Sequence, residues 1–190
     1  MPIVLYLGNN VNEYKEKSET IIEKHIKSGS VHCEKCLQPM KRHSKYSRGI
    51  KETGEKIAIT VVWCKACENW QAMLPDFLLP QKHYSGNEIE SVLIDSADIP
   101  VEEIETEASA STVRRWILQL SERMKRAIGI LKYLYAKMGK AISELAIEPG
   151  ATYNELEQVL ELAPLALKYS GNKLGLANIW LGIGEIKAYI

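Results

Sequence analysis

All four cysteines of this chain fall in two Cys-x2-Cys pairs, Cys33 and Cys36 within HCEKC and Cys64 and Cys67 within WCKAC, and no other feature limits the fold as strongly. Each pair sets two thiols on one tight backbone knuckle, and two facing knuckles complete a tetrahedral cage for Zn2+, with Zn–S distances of about 2.3 Å. The 27 residues between Cys36 and Cys64 exceed the commonest spacing, but a hairpin between knuckles lengthens without disturbing the cage. A redox dithiol, the main alternative, uses a single pair beside a βαβ pattern. The spacing therefore predicts one structural Zn2+ held by Cys33, Cys36, Cys64 and Cys67. Four sulfurs leave no open position for water, so the metal is expected to fold the chain and not to catalyse. His32 and His43 lie nearby but are expected outside the coordination sphere.

Close cysteine pairs point to metal and not to disulfides in a reducing compartment. No stretch approaches the roughly 20 apolar residues of a membrane span, and MPIVLYLGNN lacks the basic start and cleavage site of a signal peptide. A cytoplasmic protein with no membrane partner is expected.

A net charge of zero conceals strong local sorting. Residues 30–60 hold seven Lys and Arg against three Glu, and residues 111–126 hold five against the single Glu122, whereas residues 86–110 carry eight carboxylates and no Lys or Arg. Such sorting suits a protein that offers basic patches to a polyanion, although solvated helix faces produce it too.

The hydrophobic pattern predicts an α+β chain: a small β-rich zinc ribbon followed by an all-α helix-turn-helix and a helical C-terminal region. PIVLYL reads as a strand, and residues 10–27 as a helix with Tyr14, Ile21, Ile22 and Ile26 inward, closed by Gly29. MKRHSKYSRGIKETGEKIAITVVWC reads as a hairpin turning at Thr53 and Gly54, with Ile57, Ile59, Val61 and Trp63 on one face of its second strand. Val113, Ile117, Leu120, Met124, Ala127, Leu131, Leu134 and Met138 follow steps of four and three, which implies one long helix ending at Gly139. Helices are also expected near 152–169 and 173–188. The resulting segments are 1–29, a strand and helix; 30–80, the ribbon and an apolar linker; 81–140, the helix-turn-helix with its long helix; and 141–190, a helical region.

Two constellations bear on nucleic acid. In KRHSKYSRGIK the period of two places Arg42, Ser44 and Tyr46 on one face and Lys41, His43 and Lys45 on the other, so that Arg42, Lys45 and Arg48 are candidate phosphate contacts on what is otherwise a soluble hairpin surface. In VEEIETEASASTVRRWILQLSERMKR a helix after Pro100 would turn Ile104 and Ala108 inward, Ser109 or Ser111 would cap the next helix, and Val113, Trp116 and Ile117 would pack beneath it. Ser111, Thr112, Arg114, Arg115 and Gln119 would then face double-stranded DNA, where Arg can grip a guanine edge with two hydrogen bonds. A plain amphipathic hairpin with solvated arginines fits the same pattern.

The order HCEKC, RHSKYSRG, ITVVWCKAC, LPDFLLPQKHYS and STVRRWI resembles the N-terminal zinc-ribbon and helix-turn-helix region associated with bacterial insertion-sequence transposases, over residues 32 to about 120. That resemblance implies metal ligation by the four cysteines and DNA contacts by Arg114 and Arg115. A complete transposase also needs an RNase H-like domain whose carboxylates hold two metal ions, and no succession of strands after residue 110 could hold them. The expectation is thus a DNA-binding protein without enzymatic activity. The rival reading is a zinc-ribbon protein–protein interaction module that forms a homodimer through the long helix. The linker LPDFLLP is expected to serve as an apolar strap as well.

Overall fold

The computed structural model describes residues 2–8 and 10–137. The elements are β1 (Ile3–Leu5), α1 (Val11–Lys27), β2 (Lys41–Gly49), β3 (Lys56–Cys64), β4 (Asn69–Pro75), α2 (Gly86–Asp95) and α3 (Ala110–Lys137). They make an α+β fold around one mixed sheet of order β1-β4-β3-β2. The helices expected near 152–169 and 173–188 lie outside the described residues.

Between β1 and α1 the chain turns at Gly8, whose φ is +120°; a Cβ there would stand 2.8 Å from the Cβ of Glu13. Asn10 then caps α1, its side chain accepting from the N–H groups of Asn12 and Glu13 at 3.0 Å each. Tyr14 and Ile22 face the sheet, as the period implies. Burial pushes the Tyr14 phenol up to about 12, and its hydroxyl donates to the Ala58 carbonyl at 2.7 Å, so the buried phenol has a partner on β3. The hairpin closes through Gly54 at φ +67°, where an L-residue would be strained.

A third antiparallel strand, β4, was not expected: it pairs Trp70 with Trp63 and Ala72 with Val61, then receives β1 in parallel at Met73–Pro75. Segments 1–29 and 30–80 consequently share one sheet and one core, which gathers Leu7, Tyr14, Ile22, Cys33, Val62, Cys64, Phe77 and Leu78. The strap behaves as foreseen. Leu74, Phe77, Leu78 and Leu79 are all at most 3% exposed, and burial of each stabilises by roughly 1.5 to 3 kcal/mol.

One expectation of strand orientation is corrected by a bulge. The β2/β3 register runs Arg42 to Val62 and then Ser44 to Val61, leaving His43 without a partner of its own. An extra residue reverses the alternation of everything beyond it. Arg42 therefore shares a face with Lys45, and not with Ser44 and Tyr46. On β3, which has no extra residue, Ile57, Ile59, Val61 and Trp63 keep one face as expected, but only Ile57 and Ile59 are buried there; towards the knuckles burial passes to Val62 and Cys64 on the other face, with Val61 and Trp63 half-exposed. The sheet is covered on one face towards the turn and on the opposite face towards the knuckles.

The helix expected after Pro100 is also corrected. Residues 96–109 are non-helical, and the helix preceding α3 is α2, capped by the Ser85 side chain accepting from Glu88 N–H at 3.2 Å. Glu102, Glu103, Glu105 and Glu107 would stand at i,i+3 and i,i+4 spacings with no basic residue between them, a repulsion that disfavours helix. Ile104 and Ala108 still turn inward. Ser109 directly precedes α3, and Val113 and Trp116 bury its inner side.

Candidate metal centre and cationic cleft

The two knuckles sit at one end of the sheet, one on the turn that leads into β2 and the other between β3 and β4, so that the β3/β4 pairing at Cys64 and Asn69 fixes their approach. Each knuckle ends on a left-handed residue, Leu37 at φ +58° and Glu68 at φ +52°, which turns the backbone back under the second cysteine. The four Sγ atoms lie within 4.8 Å of one another. Nearest separations are 3.4 Å for Cys33 to Cys67, 3.4 Å for Cys36 to Cys64 and 3.6 Å for Cys36 to Cys67. These are too long for disulfides and close to the edge of about 3.8 Å that a tetrahedron with metal–sulfur bonds of about 2.3 Å requires. The cluster can hold a metal ion, and it fits a zinc ribbon.

Its electrostatics point the same way. Burial opposes ionisation of Cys33, but the Lys35 and Cys36 N–H groups outweigh it and bring the thiol down to about 6. Cys64 is lowered too, burial again being overcome, here by the Cys67 and Ala66 N–H groups. Asn69 Nδ2 adds a contact of 3.7 Å to Cys33 Sγ. Cys67 is pushed up to about 12, chiefly by Cys33, and Cys36 is raised by Cys64 despite the Gln38 N–H. Four thiols this close cannot all ionise without a counter-charge, and a divalent cation supplies one. Among the described residues no histidine joins the cluster. His32 is hydrogen-bonded to Ser30 O, while His43 lies 6.4 Å from the Trp63 ring and 6.2 Å from that of Trp70.

The candidate DNA contacts divide into three groups. Arg42 meets Glu19 at 2.9 Å and Glu23 at 3.1 Å, and Lys45 meets Glu19 at 2.5 Å, so the bulge has turned both cations onto α1. Lys45, with Arg42, holds the Glu19 carboxyl below its ordinary value. Arg48 is spent inside the molecule. It donates to the Leu79 carbonyl at 2.7 Å and to that of Lys82, and burial lowers its guanidinium from the ordinary value. Arg114 pairs with Glu102. Much of the charge sorting thus reflects oppositely charged elements facing one another.

Ser111, Thr112, Arg115 and Gln119 form the third group, on the outer side of α3. Ser111 is hydrogen-bonded to Ser109, whereas Thr112, Arg115 and Gln119 line a cleft of about 760 Å3 with Lys51, Lys82 and His83. The sequence singled out none of the last three, because Lys51 follows β2 and the other two follow the strap, thirty residues on. Also unforeseen is an aromatic edge beside the metal centre, where Trp70 is 55% exposed opposite Trp63. Only the pairing of β4 creates it.

Among the described residues no helix is long and apolar enough to cross a membrane. A family model described as a domain of unknown function, DUF6431, matches residues 33–116, from the first cysteine of the cluster to the tryptophan that anchors α3. No curated protein and no solved structure matches the chain.

Proposed function

We propose that this chain is a zinc-binding, non-catalytic, cytoplasmic protein that binds duplex DNA, related to the N-terminal part of insertion-sequence transposases. The observation that carries the reading is the start of α3: Val113 and Trp116 are buried, while exposed Arg115 and Gln119 and half-buried Thr112 form an adjoining side at i, i+3 and i+7 that flanks Trp116. One side fixes the helix on the body and the other offers it to a ligand, as a recognition helix must. The pair α2 and α3 supplies the helices of a helix-turn-helix with an enlarged connection, 14 residues over 96–109 in place of the usual turn of about four. Zn2+ is the ion that a four-thiolate cage suits best, and one per chain would brace the sheet, from which the strap runs on to Lys82 and Tyr84 against α3.

The test is selection of bound sequences from a random duplex pool by the zinc-loaded full chain at stated salt. Enrichment of a motif, weakened by Arg115→Ala in a protein that stays folded, is the expected result. A second reading rests on Leu118, 73% exposed, and Tyr133, 55% exposed, both on α3. Those residues suit a protein–protein interaction module that dimerises through this helix. An unenriched pool together with a dimeric mass would favour it and sink the first.

A further inference from the structure

Several cations among the described residues sit against carboxylates. Arg42 and Lys45 have Glu19, and Arg114 has Glu102. The cleft beside α3 departs from that pattern. Lys51, Lys82, His83 and Arg115 converge there with Thr112 and Gln119, and the described lining includes no carboxylate. Three elements bring them together. The Lys51 N–H donates to the His83 carbonyl at 2.8 Å, tying the turn after β2 to the strap. Lys82 Nζ reaches Gln119 Oε1 at 2.5 Å, tying the strap to α3. Between Pro80 and Lys82 the chain turns through Gln81 at φ +62°, a left-handed conformation that costs a non-glycine residue of order 1 kcal/mol and concentrates at ligand sites.

The floor is preorganised. Tyr84 and Trp116 meet edge-to-face at 5.0 Å, and Lys51 Nζ sits 5.2 Å from the Tyr84 ring centroid, so its ammonium is held at the rim. Among the described residues neither Lys51 nor Arg115 meets a carboxylate. Gathering like charges on a concave wall is unfavourable unless an anion enters. The donors approach from three elements, and a carboxylate accepts in one plane. A phosphate group presents oxygens in several directions and carries charge to match. The volume is also in the range of small-ligand clefts.

We propose that this cleft is a phosphate-binding site, with Lys51 and Arg115 as its principal ligands and Lys82, His83 and Thr112 completing it. The phosphate belongs either to a nucleic-acid backbone or to a free phosphorylated molecule; the site shares Thr112 and Arg115 with the duplex-binding reading but does not require it. The test is calorimetric titration of the zinc-loaded full chain with inorganic pyrophosphate at fixed ionic strength, alongside duplex binding by the same proteins. One pyrophosphate per chain is expected, with affinity lowered about tenfold or more by Lys51→Met and by Arg115→Gln, and kept within about threefold by Lys51→Arg and by the control Lys27→Ala on α1. Melting curves establish that each variant is folded. Parallel losses for pyrophosphate and duplex assign the site to backbone phosphate; losses for pyrophosphate alone assign it to a free ligand. Pyrophosphate binding without any duplex binding keeps the site and ends the duplex reading. Absence of saturable pyrophosphate binding, or folded Lys51 and Arg115 variants that bind it as the parent does, would overturn the proposal.

Discussion

At the scale of single residues the metal centre depends on two backbone conformations as well as on four thiols. Leu37 and Glu68 both adopt a left-handed φ, directly after Cys36 and Cys67. A side chain in that region costs roughly 1 kcal/mol. Glu68 is exposed, so Glu68→Gly should raise the stability of the zinc-loaded protein by about 0.5 to 1 kcal/mol, read as a higher midpoint in denaturant. Leu37→Val should act the other way, because a β-branched side chain tolerates positive φ worst. Equal midpoints for the two variants would mean that the knuckles do not need this geometry. Both positions were legible in the sequence only as the residue after each pair. The cysteines announce a metal site by type and spacing, whereas the φ of the next residue is dictated by how the knuckle closes.

Elements explain where the charges went. The acidic side of α1 faces the basic strand β2, through Glu19 to Arg42 and Lys45 and Glu23 to Arg42. The Lys45–Glu19 pair is exposed, and such pairs contribute about 0 to 1 kcal/mol, whereas Arg42 is half-buried with Nε and Nη2 shielded from solvent. The pairs also occupy cations that a polyanion could otherwise use. Glu19→Gln with Glu23→Gln should therefore lower the melting temperature, because Arg42 loses both its carboxylates, while strengthening duplex binding by the folded protein and steepening its salt dependence by up to about two. An unaltered salt slope would show that β2 takes no part. Arg48 behaves differently. Its two carbonyl partners are on the strap and just after it, so Arg48→Ala should cost about 1.5 to 3 kcal/mol of stability by removing hydrogen bonds from a buried guanidinium, and any binding loss in that variant is expected to track unfolding. The period of two could not have separated these residues, since the bulge at His43 decides which face each one takes.

For the whole molecule the cluster is part of the core and not an appendage. Cys33 and Cys64 are fully buried among Val31, Met40, Val62 and the other apolar side chains. Removing the ion should loosen the sheet and, through the chain that follows β4 to Lys82 and Tyr84, the seating of α3: a strong chelator is expected to lower the melting temperature and abolish any duplex binding together, and acidification should do the same as the thiolates are protonated and release metal. A chelated protein that melts as before would make the cysteines a passive core. The sequence alone determined a great deal that depends on neighbours along the chain: the two cysteine knuckles, the helix that Asn10 caps, the turn at Gly54, the burial of Val113 and Trp116, and the apolar strap, because spacing, caps and periodicity are local properties. Tertiary structure decided what depends on distant partners. Pairing of β1 with β4 merged the N-terminal segment into the ribbon's sheet, the bulge rotated the cations of β2 onto α1, like-charge repulsion across residues 102–107 left the chain irregular where a helix was expected, and only the approach of strap, β2 turn and α3 assembled a cationic cleft from residues that carry no motif. Contact geometry between separate elements is set by packing, and packing has no period to read.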